Sequence, residues 1–154
     1  MSSVADLHRA VQTTLASKRL GKPVFVRYLV QSQEKADAVM PRLARVIGDV
    51  REWLGQQLGR VYALGSIESG QVAVTLEFRE GATALVSWSQ GRPRGDGVDL
   101  LVLGNHGALY HDAGSADLWD EAATAVSTPV DAVLQSALER ALQAGQPIAV
   151  EAKP

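Results

Sequence analysis

Cysteine is absent from the 154 residues, which removes disulfides, thiolate metal sites and thiol nucleophiles together. Charge of one sign is also missing. Fifteen Lys and Arg stand against 17 Asp and Glu, a net charge of −2, and no basic stripe is available to neutralise a phosphate backbone, so nucleic acid is not an expected partner. Apolar runs extend for only a few residues, too short for a membrane-spanning helix. The opening MSSVADLHRA breaks its small apolar groups with Asp6, His8 and Arg9 and lacks the apolar stretch of an export signal, so a cytoplasmic location is expected. There is no internal repeat and no low-complexity tract. What remains is 46% hydrophobic and 21% charged, enough for one well-buried core without a metal or disulfide staple. A single domain over residues 1–154 is the expectation.

Periodicity supplies the elements. Val4, Leu7, Val11 and Leu15 recur at helical spacing, and Ser3 with Asp6 resembles a capping box, which predicts a leading helix over 4–17. An α+β body over 23–112 follows, opening with the strand from Val24 to Val30. Ala36, Val39, Leu43, Val46, Ile47, Val50, Trp53 and Leu54 step by three and four, predicting a long one-faced helix that either starts near Pro41 or kinks there. Val72, Val74, Leu76 and Phe78 alternate with Ala73, Thr75, Glu77 and Arg79, the period of a sheet with one buried face. Gly81 turns that strand back into Thr83 to Ser89. Val61–Ile67, Val98–Leu103 and Ala108–His111 supply further strands, the last two joined by the turn Gly104-Asn105-His106-Gly107. Residues 112–127 read as loop with one turn of helix near Leu118 and Trp119. Thr128 as N-cap, Pro129 at the first helical position and the apolar series from Val133 to Leu142 predict a C-terminal helix over 128–144, ended by Gly145 and Pro147. The order gives an α+β fold, a mostly antiparallel open sheet with helices on one face. Leu64, Ala73, Leu85, Leu101 and Leu103 then fall on the uncovered face, a patch of the kind that marks an interface.

Five phrases, in order and over nearly the whole chain, resemble the Gfo/Idh/MocA oxidoreductases. They are Ser17-Lys18-Arg19-Leu20-Gly21-Lys22-Pro23-Val24-Phe25-Val26-Arg27-Tyr28, Asp49-Val50-Arg51-Glu52-Trp53-Leu54-Gly55, Ala73 to Ala82 with Ser87-Trp88-Ser89, Asp99 to Leu109, and Ala141 to Val150. The resemblance implies the C-terminal, substrate-binding and oligomerisation domain of that family, whose open sheet makes subunit contacts. It implies a sugar or polyol ligand between sheet and long helix, for which Asp49, Arg27 and Trp88 are the candidate lining residues. The sequence departs from the family pattern in several places. It carries no G-x-G-x-x-G phosphate-binding turn and no Glu-Lys-Pro segment. Alignment on Trp53 puts Asp49 at the family's Asp but Val46 at its proton-transferring His, and an isopropyl group moves no proton. Ala38-Val39-Met40-Pro41-Arg42 replaces a Gly-rich approach.

The bland alternatives stand beside these. Asp49 equally suits a helix carboxylate paired with Arg45 or Arg42. His8 falls on the polar side of the first helix and is expected at the surface. His106 and His111, with Asp112 beside the second, fall at a hairpin turn that leaves such groups solvated and lack a further convergent ligand, so no metal site is expected. Arg92, Arg94 and Asp96 form a solvated loop, Ser87 and Ser89 have no activating His, and Trp53, Trp88 and Trp119 suit core, interface or ligand platform equally. The expected chain has no catalytic residues of its own and no cofactor, with NAD(P) entering only on a separate subunit. We rank its roles as association with a second copy or with a family member carrying the cofactor domain, then binding of a sugar or polyol, then service as the substrate half of a split enzyme.

Overall fold

The computed structural model describes residues 4–91, 97–113 and 132–150. The Ser3 cap, the Arg92–Asp96 loop, Trp119 and the Thr128–Pro129 helix start lie outside them. The elements run α1 (Val4–Ala16), β1 (Pro23–Ser32), α2 (Ala36–Leu54), β2 (Leu58–Ser66), β3 (Gln71–Phe78), β4 (Thr83–Gln90), β5 (Gly97–Gly104), β6 (Ala108–Ala113), α3 (Ala132–Ala144) and β7 (Ile148–Ala149). One seven-stranded sheet has the order β6-β5-β1-β4-β3-β2-β7. Only β1 and β4 pair in parallel; the remaining pairs are antiparallel. The fold is α+β, with α2 across β1 and β4, α3 across β2, and α1 against α2.

The parallel pair is a consequence of chain order. After β1 the chain leaves through α2, and a strand parallel to β1 can lie beside it only through a crossover connection. The hairpin β2–β3 and then β4 use that route, so β1 ends in the middle of the sheet rather than at an edge. Pro41 sits inside α2, one turn from its start, where the missing N–H removes a single bond. The helix closes on Gly55 at φ 63°, whose N–H bonds the Arg51 carbonyl, a left-handed stop that glycine takes without strain.

Alternation places Val26, Tyr28, Val30, Val72, Val74, Leu76, Val86, Trp88, Val98, Leu100 and Val102 under the helices, all buried. Val39, Leu43, Ile47, Val50 and Trp53 of α2, Leu7 and Val11 of α1 and Leu134, Leu138 and Ala141 of α3 close over them. The ring of Trp53 stacks on that of Tyr28, centroids 6.0 Å apart and planes 10° from parallel.

The α1–β1 junction is tied to the β5–β6 turn. The Lys22 N–H donates to Asn105 Oδ1 at 2.8 Å, the Asn105 N–H to the Lys22 carbonyl at 3.0 Å and the His106 N–H to the Leu20 carbonyl at 2.9 Å. The backbones lie so close that a Cβ on Gly104 would run into the Leu20 carbonyl. Gly104→Ala is therefore expected to destabilise the chain by about 1–3 kcal/mol, the usual range for overpacking, when measured by denaturant unfolding.

Candidate functional site

Asp49, Arg27 and Trp88 do not converge. Arg27 projects from the uncovered face of β1, 3.5 Å from Asp99. Trp88 projects from β4 to the other side, buried under the helices, and its indole N–H donates to Ser32 Oγ at 2.9 Å. Asp49 sits on α2 facing α1. A cavity of about 280 Å³ elsewhere, between α3 and the β2–β3 turn, is lined by Met40, Ile67, Glu68, Glu139 and Leu142 and by none of the three. Val46 is 3% exposed within the core, held there by the apolar stripe of α2.

Two places gather chemistry. The first is the α1–α2 contact. His8 Nδ1 lies 3.7 Å from Asp49 Oδ1, and His8 Nε2 lies 3.9 Å from Glu52 Oε2. Gln12 Nε2, one turn further along α1, donates to the other Glu52 oxygen at 2.8 Å. The His8 ring rests against Trp53 with centroids 5.5 Å apart. Asp49 and Glu52 stand three residues apart, so both reach the same side of α2. Among the described residues these three form the histidine–carboxylate group whose donor atoms draw together, within 4.8 Å of one another. His8 is thus a quarter exposed rather than fully at the surface, because the polar side of α1 leans on the polar ridge of α2. Neither expected arginine carries Asp49 alone: Arg42 pairs with Glu34, and Arg45 acts on Asp49 as the lesser of two positive influences.

Burial pushes the Asp49 carboxyl up from 3.8 to about 6; His8 pulls it down, Glu52 pushes it further up and Arg45 pulls it down. Burial likewise raises the Tyr28 hydroxyl, with Asp49 adding to it and Arg42 opposing it. A carboxyl raised in the folded state binds more protons there than in the unfolded chain, so stability falls as pH rises through the interval from 4 to about 6 and the deficit persists above it. The deficit is on the order of 3 kcal/mol. In metal-free buffer Asp49→Asn is expected to flatten this slope and to raise stability at neutral pH, as read from urea midpoints at pH 4, 5, 6 and 7.

The second place is the uncovered face. Cross-strand register puts Phe25 beside Leu103, Arg27 between Leu85 and Leu101, and Leu101 beside Tyr110. Leu103 and Tyr110 are 41% and 57% exposed. Arg27 and Asp99 sit within this apolar strip, each about one third exposed, and Tyr110 Oη reaches Asp99 Oδ2 at 3.5 Å. Arg27 Nε and Asp99 Oδ1 are shielded from water yet make no hydrogen bond. A second charged pair, Arg60 and Glu77 at 3.4 Å, marks the β2–β3 side of the face. The register found the sequence-predicted patch where alternation put it; Tyr110 joins it through the β5–β6 hairpin, and Phe25 and Leu29 join it because β5 and β1 are neighbours, which no local pattern reveals.

Known structures share this fold. A myo-inositol dehydrogenase from Lactobacillus casei, in complex with NAD(H) and myo-inositol, superposes with TM-score 0.73 at 14% identity, over 96% of this chain and 59% of that one. A myo-inositol dehydrogenase from Corynebacterium glutamicum gives 0.71 at 15%, over 95% and 62%. A probable dehydrogenase from Thermotoga maritima gives 0.68 at 15%, over 93% and 61%. The chain spans about three fifths of the length of these proteins and has the fold of their C-terminal-like part, the part expected from the Gfo/Idh/MocA resemblance. No family model matches the sequence, and no curated sequence matches it. Among the described residues no helix is long and apolar enough to cross a membrane.

Proposed function

We propose that this chain works by association, pairing the uncovered face of its sheet with the same face of a second copy. The observation that carries the reading is an apolar strip, Phe25, Leu29, Leu85, Leu101, Leu103 and Tyr110, with a partly exposed charged pair, Arg27 and Asp99, inside it. A two-fold interface presents each patch to itself. Arg27 and Asp99 carry opposite charges on one patch and are each about one third exposed, so a two-fold axis between them sets the exposed part of each beside its complement on the other copy.

The size is adequate. Six strands spaced about 4.8 Å, each of about eight residues at 3.3 Å, give a face of roughly 600 Å² in plan. Its corrugated accessible surface is of the same order as the ~800 Å² per partner of a standard interface. Hydride transfer is not part of the proposed role: the sequence carries no phosphate-binding glycine turn, Val46 is core, and Asp49, Arg27 and Trp88 point to different places. Sedimentation or light scattering at micromolar concentration tests the reading, with a dimer expected. A monomer at every concentration up to the solubility limit refutes it. So does a chain that stays monomeric until a subunit with a dinucleotide-binding domain is added and then supports polyol oxidation, because that result assigns the face or the α2 side to a split enzyme.

A further inference from the structure

Three ligating groups on two helices, His8 of α1 and Asp49 and Glu52 of α2, draw together on the side of the molecule away from the association face. Imidazole with two carboxylates is a nitrogen and oxygen donor set that suits divalent transition ions and zinc better than magnesium or calcium, which take oxygen ligands. His8 Nδ1 is screened from water and accepts or donates no hydrogen bond, although Asp49 Oδ1 is 3.7 Å away. That separation is too long for a hydrogen bond. It is close to the distance between two ligands of one ion, since bonds of about 2.0–2.2 Å at tetrahedral angles put the donor atoms about 3.5 Å apart.

The geometry points to a divalent transition-metal site of the zinc class formed by His8, Asp49 and Glu52, which staples α1 to α2. One imidazole nitrogen serves one ion, so the ring edge nearer the ion and one oxygen from each carboxylate make the set, and these atoms already lie within 4.8 Å. Closing the remaining distance takes about 1 Å of side-chain movement, and Glu52, 60% exposed, has room to supply it. Gln12 holds Glu52 through Oε1 and leaves Oε2 turned toward His8, the arrangement by which an outer hydrogen bond orients a ligating carboxylate. Trp53 supplies an apolar wall behind the imidazole. Water completes the coordination on the exposed side of Glu52.

Two of the ligands come from α2 and one from α1, so occupancy couples the leading helix to the rest of the fold. The test uses the full chain without an affinity tag, stripped with a chelator and titrated with Co²⁺ and Zn²⁺, with Mg²⁺ and Ca²⁺ as comparisons. One equivalent of Co²⁺ is expected to bind, with visible d–d absorption that Zn²⁺ abolishes, and Zn²⁺ is expected to raise the melting temperature. His8→Ala and Glu52→Gln are each expected to weaken binding at least about tenfold. Glu52 lies largely outside the core, so its variant keeps the test decisive if His8→Ala does not fold. Amide broadening by bound Co²⁺ should centre on residues 8, 49 and 52. No saturable binding below about 1 mM, undiminished binding in both variants, equal stabilisation by Mg²⁺, or broadening centred on His106 and His111 would each overturn the assignment.

Discussion

Leu101→Lys is expected to convert a dimer into a monomer while leaving the fold intact. Leu101 lies between Arg27 of β1 and Tyr110 of β6 in the register of the uncovered face, half-buried within the monomer. A lysine there can lift its ammonium into water in the free chain. At a two-fold interface two such charges meet in an apolar setting beside the Arg27 of each copy, and neither has a counter-ion to spare. Removing one partner's fit at the centre of a patch commonly costs 2 kcal/mol or more, and like charges add to that, so the dissociation constant should rise by about a hundredfold or more. Sedimentation velocity gives the change in mass, and far-ultraviolet circular dichroism shows whether the sheet survives. Arg60→Ala, in the charged pair on the β2–β3 side, provides the contrast: rim charges are worth little, and the dimer should persist. If Leu101→Lys leaves the mass unchanged, the association occurs elsewhere or not at all.

Trp53→Ala is expected to lower the unfolding free energy by about 3–5 kcal/mol, the range for emptying a large aromatic site in a core. Trp53 is 5% exposed and joins three elements, stacked on Tyr28 of β1 and in contact with His8 of α1 from its place near the end of α2. Domains of this kind are held by about 5–15 kcal/mol in all, so the variant stands close to the unfolding threshold. Trp53→Phe should cost less than half as much. The indole Nε1 makes no hydrogen bond in the fold, so the smaller ring loses contact area but no polar partner. Urea denaturation followed by circular dichroism compares the two, and equal losses would mean that ring area at this site contributes little.

How far the sequence reached differs between the two sites. The uncovered face was legible because strand alternation is local: Ala73, Leu85, Leu101 and Leu103 fall out of phase with the buried Val74, Val86, Leu100 and Val102 within their own strands. Pro41 was only half legible. Its missing N–H suggested a helix start or a kink, whereas the helix begins a turn earlier at Ala36 and runs through it, since tertiary burial of Val39 and Met40 holds the first turn in place. The cluster of His8, Asp49 and Glu52 was legible only in part. The three-residue spacing of the two carboxylates on α2 is visible in the sequence, but His8 lies 41 residues from Asp49 and on the polar side of its own helix, where pattern alone assigns it to solvent.

The amino-acid order by itself determined the period-two and period-3.6 segments, the one-sided burial of each and therefore an α+β domain with a bare sheet face, because these follow from backbone geometry and from apolar groups leaving water. The tertiary structure alone decided that β1 lies between β5 and β4 and how α1 crosses α2. Strand neighbours set Arg27 against Asp99 among leucines, and the helix crossing set His8 against two carboxylates. Contacts between residues distant in sequence depend on where a long crossover returns and at what angle two helices meet, and neither is encoded in any local period.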